Sequence, residues 1–592
     1  MRIRRRVGAT VAARPRAERT TTAVLSLRDL AVSFPGGVQA LRGVSLEVAP
    51  SEIVGLVGES GAGKTVLGLA ALGLLPPSAE LGGHAFLGDT DMATAPDEQR
   101  RLARKRFAGA VFQDPMTSLN PTMTVGRQVA EAAGSTAAAI EALERARVPE
   151  ARRRARQYPH ELSGGLRQRA MIAMAVAGAP ALIVADEPTT ALDVTVQAEI
   201  LRLLSDLRDE TGSSMLFVTH DFAIAASLAD RVVVLYGGRV AEVGPTAELL
   251  HHPDHPYTAG LLATRLSPDS PRGRPLPSLP GEPPDPRAHV DACPFAPRCP
   301  LVTPACEERL PQVTAAPSHA GLVACLRAGE PQPSLLQVHD RFPDRARAVG
   351  RPPALRLSAL AKAFGSRRFR HVAVDGLTLE VPAGGAVALV GESGCGKTTT
   401  LRMATGLERP DSGTVEVGEG GRPQLVFQDA GASLTPWLRV GELLEERLRS
   451  EGFTAAERAR RARDVLALVG LPISVLGLRA RQLSGGQRQR VSIARAIAVP
   501  PALLACDEPI SALDVSLAAA VLNLLCRLRA ELGMALLFVT HDLAVARFVG
   551  DRVAVMHAGH IVEEGPPETV LERPQHPQTK ALVAAIPRLR SA

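Results

Sequence analysis

The stretch Gly58-Glu59-Ser60-Gly61-Ala62-Gly63-Lys64-Thr65 indicates the fold of a large part of this chain. It follows an apolar run at 53–57, which has the pattern of a buried strand, and leads into an apolar run at 66–72, which suits a helix. A glycine-rich loop between a strand and a helix is the phosphate-binding P-loop, because its backbone N–H groups and the helix N-terminus attract phosphate. We therefore predict a nucleotide site whose cofactor-binding residues include Gly58, Ser60, Gly61, Gly63, Lys64 and Thr65.

The same arrangement occurs again as Gly391-Glu392-Ser393-Gly394-Cys395-Gly396-Lys397-Thr398, after an apolar run at 386–390. One glycine-rich turn before a helix can be a turn and nothing more, but two copies in the same context favour phosphate binding. The chain has 63 Arg and only five Lys, two of which are Lys64 and Lys397. A compact ammonium suits the β- and γ-phosphates of a nucleotide. The predicted residues of the second site are Gly391, Ser393, Gly394, Gly396, Lys397 and Thr398.

Four further motifs repeat in the same order in both parts of the chain. They are a Gln after Val-Phe, a signature motif (Leu-Ser-Gly-Gly), an Asp-Glu pair after an apolar run, and a His after Val-Thr. One offset, 321 residues, relates three matched pairs: Ser163 and Ser484, Glu187 and Glu508, His220 and His541. This constant spacing indicates that a domain of about 240 residues is duplicated. Strands that alternate with helices indicate an α/β fold with a mostly parallel sheet.

The repeated side chains suit phosphoryl transfer, which depends on positioning and charge stabilisation. We expect an Asp, a P-loop Thr and the repeated Gln to hold Mg²⁺ at each site, which gives as metal residues Thr65, Gln113, Asp186, Thr398, Gln428 and Asp507. We expect each Glu to orient or deprotonate the attacking water. The predicted catalytic residues are Glu187, His220, Gln113, Glu508, His541 and Gln428. A lone acid pair or His could equally be a surface residue or a helix cap. The repeated order of the motifs favours catalysis instead.

An aromatic residue lies ahead of each P-loop, Phe34 before the first and Phe364 before the second. A phenyl ring there can stack on adenine, because every base has a π-face. It can equally be a core residue near a strand end, and the spacing alone does not separate the two interpretations. Phe34 and Phe364 are therefore both candidate cofactor-binding residues.

The charge of the chain is concentrated at its start. The formal net charge is +7, and residues 1–22, with seven Arg and one Glu, carry +6 of it. The rest is close to neutral, so we predict no nucleic-acid partner. Residues 1–22 lack the apolar core of roughly 7–15 residues that a secretory signal needs, and we predict a disordered tail. Because no stretch approaches about 18 consecutive apolar residues, we predict a protein that is peripheral to the membrane.

The stretch between the repeats has a different composition. Pro is dense from Pro268 to Pro286, and four cysteines follow: Cys293, Cys299, Cys306 and Cys325. Four thiolates can hold a [4Fe–4S] cluster, whereas the C-x2-C spacing common in zinc sites is absent. An iron–sulfur cluster, zinc, and unliganded or disulfide-forming cysteines all stay open. The cysteines within the repeats are predicted to be packing residues, namely Cys395, Cys506 and Cys526.

The ordered set of P-loop, Gln, signature motif, acid pair and His resembles the ATP-binding cassette ATPases, and it occurs twice. More narrowly, three runs are similar to the oligopeptide/dipeptide permease ATPases: QDPMTSLNP at 113–121, YPHELSGG at 158–165, and HPYT at 255–258 with CPFAPRCP at 293–300. There are departures, because Leu166 stands where Gln or Met is usual and Thr435 stands where Asn is usual.

The resemblance implies an ATPase with two P-loop NTPase cassette domains, each with a mixed or parallel α/β core and a helical subdomain. We call residues 23–260 the first cassette and residues 353–592 the second cassette. Between them we predict a Cys-rich segment at 261–335, of the oligopeptide-transporter type, and a linker at 336–352, after the tail at 1–22. We expect the cysteines to lie outside both cassettes.

The resemblance also implies how the cassettes work. In the family, the signature motif of one cassette completes the nucleotide site of the other, head to tail. This adds to the candidate cofactor-binding residues Ser163, Gly164, Gly165, Ser484, Gly485, Gly486 and Gln487. The family uses ATP and Mg²⁺ at the cytoplasmic face of the cell membrane. It drives uptake with two transmembrane permease subunits and an extracytoplasmic solute-binding protein, for di- or oligopeptides, glutathione or nickel chelates.

A soluble twin-cassette ATPase that acts on ribosomes or DNA is the alternative function. Such translation-factor ATPases join their cassettes by a long charged helix, and excision-repair relatives space their zinc cysteines as C-x2-C. Ribosome-recycling relatives carry an eight-cysteine domain ahead of the first cassette. None of these patterns occurs in this sequence, so we favour an importer subunit.

Overall fold

Each P-loop follows a buried strand and opens a helix, as the sequence predicts. The computed structural model describes residues 23–190, 192–267, 270–288, 291–330, 342, 352–365, 370–511 and 513–586. The predicted tail at 1–22 and most of the predicted linker at 336–352 lie outside the described residues.

The first cassette and the Cys-rich segment together form one series of strands and one of helices. The strands are β1 (Leu25–Phe34), β2 (Val38–Val48), β3 (Ile53–Val57), β4 (Glu80–Leu87), β5 (Thr90–Asp91), β6 (Ala108–Val111), β7 (Leu182–Asp186), β8 (Ser214–Thr219), β9 (Arg231–Tyr236), β10 (Arg239–Pro245), β11 (Thr314–Ala315) and β12 (Leu322–Val323). The helices are α1 (Lys64–Ala71), α2 (Asp97–Phe107), α3 (Pro115–Ser118), α4 (Val125–Ala133), α5 (Thr136–Arg145), α6 (Ala151–Arg154), α7 (Gly164–Val176), α8 (Val194–Thr211), α9 (Phe222–Leu228), α10 (Thr246–His251), α11 (Pro256–Ala263) and α12 (Pro304–Glu308).

The second cassette repeats this series in a shorter form. Its strands are β13 (Leu355–Phe364), β14 (His371–Val381), β15 (Ala386–Val390), β16 (Ser412–Val417), β17 (Gln424–Val426), β18 (Leu503–Asp507), β19 (Ala535–Thr540), β20 (Arg552–His557) and β21 (His560–Gly565). Its helices are α13 (Lys397–Ala404), α14 (Ala430–Ser433), α15 (Val440–Ser450), α16 (Ala455–Leu468), α17 (Gly485–Ile497), α18 (Val515–Leu532), α19 (Leu543–Val549), α20 (Pro567–Glu572) and α21 (Pro577–Ala584). No helix in the described parts of the chain is long and apolar enough to cross a membrane.

The core of each cassette is a largely parallel sheet. The strand order is β11-β12-β10-β9-β3-β8-β7-β6 in the first cassette and β17-β18-β19-β15-β20-β21 in the second. Every residue of β3, β7, β15 and β18 is buried, since helices cover both faces of a parallel sheet. Separate antiparallel sheets, β2-β1-β4-β5 and β14-β13-β16, complete the cassettes. The predicted α/β fold is therefore confirmed in both halves.

Helices fill the chain between the repeated Gln and the signature motif. Helix α7 packs on α4 and α5, and α17 packs on α15 and α16, as a helical subdomain requires. Ser163 and Ser484 are the N-cap residues of α7 and α17, a role for which Ser is well suited. Lys64 and Gln113 are 49 residues apart, whereas Lys397 and Gln428 are 31 apart. Helix α2 has no counterpart between β16 and β17, which accounts for the shorter interval in the second cassette.

The Cys-rich segment is built into the first cassette, contrary to our expectation that the cysteines lie outside both cassettes. Strand β12 pairs with β10 and so extends the central sheet. Phe295 is buried in the same apolar core as Tyr236 and Tyr257. The aromatic packing, rather than the Pro and Cys content, fixes the place of this segment.

Residues 270–286, which we call the strap, cross from the first cassette to the second. Leu276 is buried in the apolar core of the second cassette. Its backbone N–H donates to Oδ1 of Asn523, and its carbonyl accepts from Nδ2 of the same residue, each at 2.7 Å. Arg272 forms an ion pair with Glu568 at 2.6 Å. The strap is thus held by side chains of the second cassette before the chain returns to the first.

Candidate functional site

The first P-loop folds around the ammonium group of Lys64. Its Nζ donates hydrogen bonds to the carbonyl oxygens of Gly58 at 2.8 Å and Glu59 at 3.0 Å. Gly63 has a φ of 100°, and a Cβ there would lie 2.6 Å from the carbonyl oxygen of Ala40. Only glycine fits this conformation and this close approach, so the P-loop glycine is required by geometry.

The second P-loop has the same geometry. Nζ of Lys397 donates to the carbonyl oxygens of Gly391 at 2.8 Å and Glu392 at 2.7 Å. Gly396 has a φ of 110°, and a Cβ there would lie 2.1 Å from the carbonyl oxygen of Ala373. The two loops therefore present equivalent backbone cradles for phosphate.

A cavity of about 630 Å³ opens at the first P-loop. Its wall in the first cassette includes the predicted site residues Phe34, Ser60, Gly61, Gly63, Lys64, Thr65, Gln113, Glu187 and His220. The opposite wall comes from the second cassette: Gln428, Asp429, Ser511, Leu513 and Asp514. The first site is therefore shared between the two halves of the chain.

A cavity of about 310 Å³ opens at the second P-loop. It is lined by the predicted residues Phe364, Ser393, Gly394, Gly396, Lys397, Thr398, Gln428, Glu508 and His541. Asp193 of the first cassette completes its wall. Phe364 is 42% exposed, whereas Phe34 is half-buried against the core and also faces its cavity. Both phenyl rings are thus placed where a nucleobase could stack.

The carboxylate of Glu187 lies between a His and a Gln. His220 Nδ1 is 3.2 Å from Oε1, and Gln113 Nε2 donates to Oε2 at 3.1 Å. Burial alone would raise the pKa of Glu187, but the hydrogen bond and charge of His220 outweigh it and lower that pKa to about 2. Burial alone would lower the pKa of His220, but its hydrogen bond to Glu187 and the charge of that carboxylate raise it. The two groups therefore favour an imidazolium–carboxylate pair.

Glu508 repeats this arrangement in the second cassette. His541 Nδ1 is 3.1 Å from its Oε2, and Gln428 Nε2 donates to the same oxygen at 3.5 Å. Burial alone would raise the pKa of Glu508, but His541 lowers it. Glu187 and Glu508 also share a positive φ, 46° and 41°. Such a strained backbone in a residue other than glycine is typical of functional sites.

The two Asp residues that precede these Glu residues suit a divalent cation. Thr398 Oγ1 donates to Asp507 Oδ1 at 3.2 Å, which brings two of the predicted metal residues together. Burial raises the pKa of Asp186 and of Asp507, and the neighbouring Glu raises each further. Asp186 Oδ1 is buried with no hydrogen-bond partner among the described residues. A buried, unsatisfied carboxylate oxygen beside a P-loop Thr fits Mg²⁺, which prefers oxygen ligands.

The signature motifs do not line either cavity. The hydroxyl of Ser163 accepts a hydrogen bond from the N–H of Leu166 at 3.4 Å, and that of Ser484 from the N–H of Gln487 at 3.2 Å. The amide of Gln487 donates to Glu282 of the strap at 3.1 Å. The structure therefore does not bring these residues to the opposite P-loop. Their nucleotide contacts remain predictions, as do those of Gly164, Gly165, Gly485 and Gly486.

The sequence reasoning missed two Asp residues that join the halves. Asp514 Oδ2 accepts a hydrogen bond from the N–H of Ser60 at 3.1 Å, and Asp193 Oδ2 from the N–H of Ser393 at 3.3 Å. Each contact links a P-loop to the other cassette. The two Asp residues are 321 positions apart, so their recurrence at the common offset was the available signal.

The four cysteines of the Cys-rich segment lie close enough for their charges to interact. Burial and the neighbouring thiolate charges raise the pKa of Cys325 to about 12 and that of Cys299 to about 11. The described cysteines form no disulfide. Four sulfur donors from one segment suit a thiophilic metal, which would displace the thiol protons. Among the described residues, however, the three potential metal ligands that lie within 4.8 Å of one another are Glu242, Asp254 and His319. The sulfur atoms of the described cysteines are not grouped this closely.

The chain matches two known protein families and several known proteins. Residues 41–190 and 374–511 match the family described as ABC transporter, and residues 241–306 and 562–592 match the oligopeptide/dipeptide transporter, C-terminal region. The chain is 41% identical to the oligopeptide transport ATP-binding protein OppD of Mycobacterium bovis, over 95% of this chain and 98% of the relative. The same values hold for OppD of Mycobacterium tuberculosis. It is 37% identical to the glutathione import ATP-binding protein GsiA of Salmonella choleraesuis, over 95% of this chain and 89% of the relative.

Proposed function

Because this chain belongs to the ABC transporter family and is the ATPase subunit of an importer, we propose that it drives the uptake of a di- or oligopeptide, glutathione or a nickel chelate. The observation that carries the proposal is the pair of equivalent P-loop cavities, each with a Glu–His pair. The names of the relatives, oligopeptide transport and glutathione import, support a peptide or glutathione, whereas the nickel chelate rests on the family resemblance alone. The alternative function on ribosomes or DNA receives no support from these relatives.

The residues of each site divide the work of hydrolysis. Lys64, Thr65 and the backbone N–H groups hold the phosphates, and Mg²⁺, when bound to Thr65 and Asp186, neutralises part of their charge. Glu187 orients the attacking water and accepts its proton. Against the effect of burial, His220 lowers the pKa of Glu187 to about 2 and so makes it a weak base. If His220 contacted the γ-phosphate instead, it would lower the pKa of Glu187 less, and the carboxylate would become a stronger base.

We propose that the cassettes close on ATP head to tail. The contacts from Asp514 to Ser60 and from Asp193 to Ser393 already pair each P-loop with the opposite half. Closure would bring the signature motif that begins near Ser484 over the first site and the one near Ser163 over the second. ATP would then act as a ligand that binds the closed state better, and hydrolysis would release it.

The surface near the repeated Gln residues supports a membrane-bound partner. Met116, close to Gln113, is 49% exposed, and Trp437, close to Gln428, is 71% exposed. Each cassette thus exposes a large apolar side chain near its repeated Gln, although at different distances from it, and apolar side chains that group into an exposed patch are typical of a docking surface. We propose that two transmembrane permease subunits dock here, that a solute-binding protein works on the far side, and that the chain is peripheral at the cytoplasmic face of the membrane.

Co-purification tests this function. The chain should sediment with membranes only when its two permease subunits are co-expressed, and an affinity tag should recover those two proteins. Trp437→Ala should weaken the recovery, while Trp437→Phe should keep it. Equal sedimentation without the permease subunits, or recovery of ribosomal proteins or DNA in their place, would exclude the proposal.

We propose further that Cys293, Cys299, Cys306 and Cys325 hold one [4Fe–4S] cluster. Protein purified without oxygen should show a broad absorbance at about 400 nm and about four Fe per chain. Cys299→Ser should remove the metal and leave nucleotide binding at Lys397 intact. One bound Zn and no colour would establish the zinc alternative, and a metal-free protein would refute both.

A further inference from the structure

Arg298, which immediately precedes Cys299, is buried with every guanidinium nitrogen engaged. Nη1 and Nη2 donate to the two carboxylate oxygens of Glu59 at 2.6 and 3.0 Å. Nη1 also donates to the hydroxyl of Tyr236 at 3.1 Å, and Nε to the carbonyl of Pro280 at 2.7 Å. The side chains of Arg298 and Glu59 are 4% and 2% exposed. Such a bidentate, charge-assisted pair fixes the orientation of both partners.

Glu59 is the second residue of the first P-loop, so this ion pair acts on the nucleotide site directly. Its carbonyl accepts from the ammonium of Lys64, and its N–H donates to the hydroxyl of Tyr257 at 2.8 Å. Its carboxylate also accepts a hydrogen bond from the hydroxyl of Ser516, in the second cassette. The same hydroxyl oxygen lies 3.1 Å from Asp514 Oδ1, so its single proton is shared between the two carboxylates. One carboxylate therefore joins the Cys-rich segment, the first P-loop and the opposite cassette.

Among the described residues, the second site has no ion pair equivalent to that of Arg298 with Glu59. Glu392 corresponds to Glu59, and within the described residues its carboxylate takes part in no hydrogen bond or ion pair. Thr195 corresponds to Ser516, and its buried hydroxyl has no hydrogen-bond partner among the described residues. The counterparts of Tyr236 and Tyr257 at the 321-residue offset are His557 and Gln578. The two nucleotide sites thus share their catalytic residues and differ in what holds the P-loop.

We propose that Arg298 is a positioning residue of the first ATP site, which makes hydrolysis there depend on the Cys-rich segment while hydrolysis at the second site does not. The proposal rests on the proposed function only in requiring that both sites turn over ATP. The Cys-rich segment thereby acquires a role at one nucleotide site.

The expected effect lies in the rate of the chemical step. Lys64, Thr65 and the backbone cradle still hold the phosphates when Arg298 is changed, so the KM for ATP should stay near its value. The placement of Ser516 and Asp514 against the P-loop should be lost, and with it the closed geometry around the attacking water. A misplacement of about 1 Å can cost a factor of up to about 100, and we expect a loss in kcat of at least about tenfold at the first site.

Single-site backgrounds isolate this effect. In Glu508→Gln protein the remaining turnover belongs to the first site, and in Glu187→Gln protein it belongs to the second. Arg298→Met should lower kcat at least about tenfold in the first background and leave it within about twofold in the second, with KM unchanged. Arg298→Lys should restore little, because an ammonium cannot make the bidentate contact. Arg309→Met is the matched control, since Arg309 is an exposed Arg of the same segment, and it should change neither background.

Arg298→Met leaves the buried charge of Glu59 unpaired, which can prevent folding. The double change Arg298→Met with Glu59→Gln removes both charges and should show the same loss confined to the first site. An equal loss in both backgrounds, or no loss in either, would overturn the proposal. A failure of the proposed function is a different result, since neither background would then hydrolyse ATP before Arg298 is changed.

Discussion

At the scale of single residues, the account depends on the Glu–His pairs. Glu187 and Glu508 each stand at the end of a buried strand, take a positive φ, and contact a His and a Gln from other elements. Each His lowers the pKa of its Glu and has its own pKa raised in return. Each site is thus held by an ion pair, which hydrolysis would have to rearrange.

The pH dependence of stability tests these pairs. The pKa of His220 is raised in the folded chain, so its contribution is fully present below the unfolded value of about 6.5 and is lost as pH rises through the folded pKa. Glu187, with a pKa of about 2, stays ionised throughout this range. The Tm of the parent should exceed that of His220→Gln most at about pH 6 and much less at about pH 9.

Exposed His252 provides the control for this measurement. His252→Gln should lower Tm equally little at both pH values, since its ring has no ion-pair partner among the described residues. A Tm difference for His220→Gln that is constant or grows with pH would show that the ion pair does not form.

The sequence predicts single residues well where the geometry is local. The P-loop residues follow from a strand, a loop and a helix that are contiguous in the chain, and the structure places them as predicted around Lys64. The contact from Ser60 to Asp514 spans 454 positions, and the pair of Arg298 with Glu59 spans 239. Such contacts depend on how the halves dock, for which one sequence carries no local signal.

At the scale of elements, the strap is the least expected part of the fold. The sequence assigns these residues to the Cys-rich segment, yet Leu276 is buried in the second cassette, and Asn523 binds both its backbone N–H and its carbonyl. Strands β11 and β12 are two residues long, too short for any alternation that a sequence could reveal. The buried strands were predictable because they are continuous apolar runs next to recognisable motifs, whereas the helical subdomains were expected from the family resemblance alone.

Asn523→Leu tests the attachment of the strap. The change leaves the N–H and the carbonyl of Leu276 without partners, which costs about 1–3 kcal/mol for each buried group. Limited proteolysis should therefore cut the strap, residues 270–286, faster than in the parent. Arg527→Leu alters the same helix at an exposed position and should leave the rate of cleavage unchanged. Equal cleavage rates in Asn523→Leu and the parent would show that these hydrogen bonds do not hold the strap.

At the scale of the whole molecule, the chain is a duplicated ATPase in which different contacts hold the two P-loops. The two cassettes share their sheet order, their P-loops and their Glu–His pairs. The strap contacts the core of the second cassette through Leu276, and the Cys-rich segment contacts the first P-loop through Arg298. An internal duplication therefore gives two similar nucleotide sites whose surroundings differ.

The central claim is that both cassettes hydrolyse ATP with Glu187 and Glu508, and nucleotide occlusion tests it most directly. The double change Glu187→Gln with Glu508→Gln keeps the size and hydrogen bonding of each side chain and removes the basic carboxylates. Bound nucleotide and turnover are measured after gel filtration, with Lys64→Ala as the comparison that weakens binding at the first site and traps nothing. The account predicts about two ATP retained per chain and turnover lower by about 10²–10⁴-fold. Turnover equal to that of the parent, with no retained ATP, would contradict it.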